Sequence, residues 1–158
     1  MLEFNYEFTQ SVEELIQASV TSTISTLFKI PIDVCSGMGK VGSSDNYFCC
    51  GEFVQDDTKA TLLFVFDRAL IKKLTGIIFP ADSVNSPGVC EATAAEIVNI
   101  VSNQLKTHLN VHGYKLHLGQ PCMLDRAQAA LKERPLIHMA FSLKNDVAMG
   151  VDFYLRSA

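Results

Sequence analysis

Apolar residues recur at helical spacing along two long stretches of the chain, and between them the pattern changes to runs of β-forming residues. From about Thr9 to Phe28, the residues Val12, Leu15, Ile16, Val20, Ile24 and Leu27 fall on one face of a helix. Thr9 or Ser11 can cap it, Glu13 and Glu14 occupy its first turn, and Pro31 enforces its end. A strand is predicted at 30–36, followed by a Gly/Ser-rich loop at 37–46. Two further strands, 47–55 and 59–66, are joined by Asp-Asp-Thr as a hairpin. A short helix is predicted at 67–76 with Gly76 as its stop, then a connecting loop at 79–88. The second long helix covers about Val89 to Asn110. Strands are expected near 114–118, 136–143 and 148–155, the last two turning at Asn145-Asp146. The polar stretch 126–134 is read as an irregular or weakly helical connection.

The two long helices can be laid on one another, with residues 13–30 falling on residues 95–112. Glu14 then meets Glu96, Gln17 meets Asn99, Ile16 meets Val98 and Leu27 meets Leu109. About three strands follow each helix. This predicts an α+β fold, one domain over 1–158, built from two α-β-β-β halves at about 1–78 and 88–158. The two helices would lie side by side on one face of a largely antiparallel sheet, related by a pseudo-twofold.

Composition narrows the function. Of 158 residues, 48% are hydrophobic and 19% charged, which suits a globular chain with a core. The net charge of −4 and the lack of any Lys/Arg cluster argue against a nucleic-acid surface. Apolar runs such as 61–66 fall far short of the roughly 20 residues that span a bilayer. The N-terminus carries acids where a signal peptide carries positive charge, so a cytosolic protein is expected. Cys35, Cys49, Cys50, Cys90 and Cys122 include no C-x-x-C pair and read as small buried hydrophobes in a reducing compartment. Cys49 and Cys50, adjacent in a strand, would point to opposite faces.

The second helix carries a polar line. Glu96, Asn99, Asn103, Lys106 and Asn110 step by three and four residues, while Ile97, Ile100, Val101, Leu105 and Leu109 define the buried side. A solvated helix face explains such a line, and so does a working surface for a partner. Asparagine is a poor helix former, which makes the amides unusual there. An amide donates and accepts hydrogen bonds but is no base near neutral pH, so a Glu–Asn pair suits orienting a water or a partner group. No G-x-S-x-G is present, and the loop at 37–44 lacks the spacing and context of a phosphate-binding loop. His108 and His112 are four apart, but no carboxylate joins them at a ligand spacing, so no metal site is expected.

The segment 96–121, EIVNIVSNQLKTHLNVHGYKLHLGQP, resembles the Glu-x-x-Asn helix and following strand of the CheX/CheC/FliY family of chemotaxis phosphatases, and looks closest to CheX. Glu96, Asn99, Gln104, Lys106 and Pro121 match that motif, and the α-β-β-β duplication extends the resemblance over essentially the whole chain. The chain departs from the family in having Asn103-Gln104 where Gly-Asn is common, and Ala92 where CheC and FliY often carry Asp or Ser. The resemblance implies a phosphatase acting on the aspartyl phosphate of a CheY-like response regulator, in chemotaxis or another two-component pathway. Asn99 would orient the attacking water and Glu96 would dock on the receiver's lysine, with Asn103 and Lys106 at the rim. Glu14 and Gln17 would be a second or vestigial site. The protein would need no cofactor of its own, because Mg²⁺ belongs to the receiver. A homodimer through a sheet edge is expected from the family, and the apolar run 61–66 is compatible with it. A non-catalytic CheC-like module binding a receiver or scaffold is the alternative.

Overall fold

The apolar run at 61–66 becomes the middle of the sheet. In the computed structural model, which describes residues 6–35, 41–42, 45–130 and 133–157, it lies in the third strand, β3 (Thr58–Asp67). The elements before it are α1 (Tyr6–Phe28), β1 (Asp33–Val34) and β2 (Asn46–Gln55). After it come α2 (Arg68–Ile78), a 3₁₀ turn at Ala81–Ser83, α3 (Val89–Val111), β4 (His117–Leu118), β5 (Cys122–Leu124), α4 (Arg126–Ala129), β6 (Ile137–Leu143) and β7 (Asp146–Ser157).

The strands form one antiparallel sheet in the order β1-β6-β7-β3-β2-β4, with β5 also on β2. β3 has a long strand on each side, and residues 60–64 are buried without interruption. Its unbroken apolarity is the mark of a central strand, so it does not call for a second copy of the chain. The outermost strands, β1 and β4, are two residues long.

The strand order reads the same from both ends once β1 is exchanged with β4, β2 with β6 and β3 with β7. Each terminal strand sits beside strands from the other part of the chain: β1 pairs with β6, and β4 with β2. The helices α1 and α3 are both 23 residues long.

Successive residues of the long strands enter two different cores. Cys49, Leu62 and Phe153 belong to the large core shared with α1, α2 and α3, which also contains Val12, Ile16, Ile97 and Val101. Cys50, Leu63 and Tyr154, their chain neighbours, form a small cluster with Leu124 and Ala129 on the opposite face. This is the period-two alternation of a strand with cover on both sides. Burying each large apolar side chain of the main core contributes about 1.5–3 kcal/mol, so α1 and α3 are held mainly by their apolar stripes.

Several expectations shift, each for a local reason. Helix α2 runs through Gly76 and ends at Phe79, whose extended backbone (φ −117°, ψ 155°) is the conformation that a following proline, here Pro80, imposes. The β6–β7 turn is Lys144-Asn145, both at positive φ (50° and 71°), one residue earlier than expected. That is the backbone a two-residue hairpin demands. The β2–β3 link is likewise two residues, Asp56-Asp57, rather than three. The strand expected at 30–36 shrinks to β1, and that at 114–118 to β4. β5 was not expected at all, and the stretch read as irregular or weakly helical contains the four-residue α4, started by a capping box in which Asp125 and Gln128 bond each other's backbone N–H. Most of the Gly/Ser-rich loop at 37–46 lies outside the described residues.

Candidate functional site

Helix α3 is gripped on three sides. Its residues Cys90, Thr93, Ala94, Ile97, Val98, Val101, Ser102, Leu105 and Leu109 are buried against α1, α2 and the sheet. Polar contacts fix its position further. The Thr75 hydroxyl of α2 donates to the Thr93 hydroxyl at 2.8 Å, and Ser19 of α1 donates to Gln104 Oε1. Below it, Gly51 of β2 comes so close that an added Cβ would stand 2.5 Å from Ser102 Oγ. A glycine inside a strand signals such an approach, and the sequence reading passed over it.

The remaining face of α3 is open, and the polar line lies on it. Glu96 and Asn103 are exposed, while Asn99 and Lys106 are half-buried. Among the described residues Glu96 and Lys106 make no ion pair or hydrogen bond, so both are available to a partner. Asn103 Nδ2 donates to the Asn99 backbone oxygen at 2.9 Å and to Asn99 Oδ1 at 3.1 Å. The backbone oxygen can only accept, which fixes which end of the Asn103 amide faces it. The Asn99 oxygen must then face Asn103, leaving the Asn99 NH₂ and one Oδ1 lone pair outward. Such a group can donate to an anionic oxygen and accept from a water, without being a base.

Not every member of the line belongs to that surface. Asn110 Nδ2 donates to Leu116 O at 3.1 Å, and its Oδ1 accepts from Leu116 N–H at 2.9 Å. It fastens the chain leaving α3, a structural role that spacing alone did not reveal. Gln104 is spent on Ser19 in the same way.

Glu14 and Gln17 are both exposed on α1 and line a shallow groove with Ala18, Thr21, Ser22 and Ser25. Gln10 Nε2 reaches Glu14 at 3.4 Å. No hydrogen bond or ion pair among the described residues joins this pair to Glu96 or Asn99.

A cleft of about 670 Å³ lies elsewhere, on the sheet face away from α3. It is lined by Val65, Arg134, Leu136, His138 and Asp152 among others. His138 and Asp152 are direct cross-strand partners whose side chains meet at 2.5 Å. A cross-strand pair of this kind stabilises a sheet and contributes no nucleophile. The helix face, with unpartnered chemistry on a rigid support, is the better candidate. The rings of His108 and His112 lie 4.7 Å apart, tilted by 51° to one another, near the end of α3. Among the described residues no group of three or more His, Cys, Asp or Glu could hold a metal ion, and no helix is long and apolar enough to cross a membrane.

The cysteines divide. Cys49, Cys50 and Cys90 are buried as expected, but Cys35 is half-buried and Cys122 exposed, because β5 is a short edge strand.

No family model and no curated protein sequence matches the chain. Solved structures do. The chemotaxis protein CheX from Vibrio vulnificus matches with a TM-score of 0.73 at 14% identity, over 92% of this chain and 96% of that one. A CheC-like superfamily protein from Shewanella sp. PV-4 matches at 0.72 and 14% identity, over 98% and 100%. A CheX from Borrelia burgdorferi, crystallised in complex with CheY, BeF₃ and Mg²⁺, matches at 0.70 and 14% identity, over 92% and 98%. The α+β architecture described above is therefore that of the CheX and CheC-like chemotaxis proteins.

Proposed function

We propose that the protein binds a phosphorylated CheY-like response regulator through the open face of α3 and accelerates hydrolysis of its aspartyl phosphate. The observation that carries this reading is the pairing of Glu96, exposed, with Asn99, half-buried and held by Asn103 with its NH₂ outward, one turn apart on a helix whose other faces are packed. The fold supports it, being shared with a CheX that was captured on CheY with BeF₃ and Mg²⁺. The reading places the protein in the cytoplasm with its receiver. It also retains a homodimer through a sheet edge, which sedimentation of the purified protein tests.

The division of labour follows from the residue types. The receiver supplies the Mg²⁺ and the electrophilic phosphorus. Asn99 presents its NH₂ and its free Oδ1 lone pair, holding a water in line for attack. Its contribution is orientation rather than proton abstraction. Glu96 pairs with a receiver lysine and sets the register of the helix. An exposed ion pair is worth no more than about 1 kcal/mol, so Glu96 acts chiefly once the interface has excluded water. Asn103 and Lys106 flank this centre, and Glu14 and Gln17 on α1 are a second or vestigial copy.

The test is phosphate release from a panel of phosphorylated receivers. One receiver should lose phosphate faster with the wild-type protein, and Asn99→Ala should remove about 10²–10³-fold of that acceleration with the fold intact. Wild-type activity in Asn99→Ala would overturn the assignment. Tight binding of the phosphorylated receiver without faster phosphate loss would instead make the protein a receiver-binding module.

A further inference from the structure

β5 is laid on β2 so that Cys122 stands directly opposite Cys50. Opposed residues of an antiparallel pair point to the same face, with Cα atoms about 4.5–5.5 Å apart. That separation falls inside the range of about 4.4–6.8 Å that a disulfide spans. The shared face is the one away from α3, where Cys50 packs with Leu63, Tyr154 and Leu124. Cys49 points into the main core and is turned away from Cys122. Neither is in a disulfide, the Cys122 thiol donating only to the neighbouring Met123 carbonyl at 3.6 Å, and they differ sharply in access: Cys122 is exposed, while Cys50 is 4% exposed.

We propose that Cys50 and Cys122 form a peroxide-modifiable thiol pair, with Cys122 as the residue attacked and Cys50 as the residue that closes a cross-strand disulfide. The remaining cysteines do not compete. Cys90 is buried in the main core at the start of α3, and Cys35 follows β1 at the other side of the sheet.

The chemistry needs a hydroperoxide, ROOH, as oxidant. The Cys122 sulfur takes the terminal OH: an S–O bond forms, the O–O bond breaks, and ROH leaves with the thiol proton. The Cys50 sulfur then attacks the Cys122 sulfenic acid, forming S–S and breaking S–O, and water leaves with the Cys50 proton. In sum, two thiols and ROOH give one disulfide, ROH and water. Burial pushes the Cys50 thiol up to about 11, so its thiolate is scarce at neutral pH. The second step therefore draws on a small thiolate fraction, which gives the sulfenic acid on Cys122 time to be trapped.

The disulfide would staple the segment leaving α3 to β2, immediately beside Gly51, the residue on which α3 rests at Ser102. Oxidation would thus raise the melting temperature without touching the open face of α3.

The experiment treats the full chain with hydrogen peroxide, alkylates remaining thiols, and maps peptides by mass spectrometry. The expected result is a monomer lighter by two hydrogens containing a Cys50–Cys122 linked peptide. Cys122→Ser, a substitution at an exposed position, should leave no linked peptide. Cys50→Ser should stop at a sulfenic acid on Cys122 that dimedone traps. The proposal is overturned if Cys50 stays fully alkylatable while Cys122 proceeds to sulfinic or sulfonic acid. It is overturned equally if the product is an intermolecular Cys122 dimer. Neither outcome depends on receiver phosphatase activity.

Discussion

Asn103 holds Asn99 by two hydrogen bonds from a single nitrogen, one to its backbone oxygen at 2.9 Å and one to its side-chain oxygen at 3.1 Å. The amide assigned to orient water is thereby itself oriented. Asn103 stands where the resembling family often has glycine, so this chain supplies a support that a glycine could not.

Removing that support should have a graded effect. A side-chain pair at this helix spacing is worth about 0.2–0.5 kcal/mol, so Asn103→Ala should lower the rate of receiver dephosphorylation only about twofold. Asn103→Asp should be worse, by about tenfold or more, because a carboxylate facing Asn99 Oδ1 forces the amide to turn its NH₂ inward. Receiver affinity should change little in either variant. Single-turnover phosphate release, set beside a separate binding measurement, checks the order of the two effects.

Glu96 should act on association. Glu96→Lys should weaken binding of a phosphorylated receiver by about tenfold at low salt, with a smaller deficit as ionic strength rises. Turnover of receiver once bound should be close to wild type. Titration of receiver at two salt concentrations measures this; an affinity unchanged at low salt would contradict the docking role.

Gly51 should be intolerant of a side chain. The Cβ in Gly51→Ala would meet Ser102 Oγ at 2.5 Å and Ser102 Cβ at 3.3 Å. Overpacking of this kind costs about 1–3 kcal/mol, which for a chain of this size lowers the melting temperature by several degrees. Ser102→Ala in the same molecule removes the shorter contact and should recover much of the loss. Thermal denaturation of the two single variants and the double variant reports the coupling directly.

Alkaline pH should destabilise the protein through its buried thiols. Burial pushes the Cys49 thiol up to about 12 and the Cys50 thiol up to about 11, from 9.0. In the unfolded chain both release their protons near pH 9, while the folded chain retains them. The unfolded state then binds fewer protons, so stability falls as pH rises from about 9 toward 12 and is unaffected by these groups below that window. Tyr154, pushed up to about 12 mainly by burial, adds to the same slope from pH 10. Denaturant melts across this range should show the decline. Cys49→Ala should flatten it even where the substitution lowers stability overall.

The long helices and the β2–β3 hairpin were legible because each is specified locally. Val12, Ile16, Val20 and Ile24 fall on one helical face, and all are buried. Glu96 and Asn99 were legible as a pair because helix spacing puts them together whatever the tertiary fold does. Features that depend on distant partners were not. β5 is a strand only because β2 offers it an edge, and Cys122-Met123-Leu124 carries no pattern of its own. Asn110 looked like a surface member of the polar line, and Gln104 like part of the family motif, until Leu116 and Ser19 were seen to occupy them. Gly76 looked like a helix stop, but the restriction came from Pro80, four residues further on.

The exchange of outer strands carries a consequence for how this chain can change over time. Residues 6–78 and residues 89–157 are stitched together at β1–β6, β3–β7, β2–β4 and β2–β5. Neither segment can complete its own part of the sheet, so deleting one would strip the other of hydrogen-bond partners along several strands. The Glu14–Gln17 patch is therefore free to drift in chemistry while α1 beneath it is retained as scaffold. The chemistry of that surface and the presence of the half that bears it are thus separately constrained.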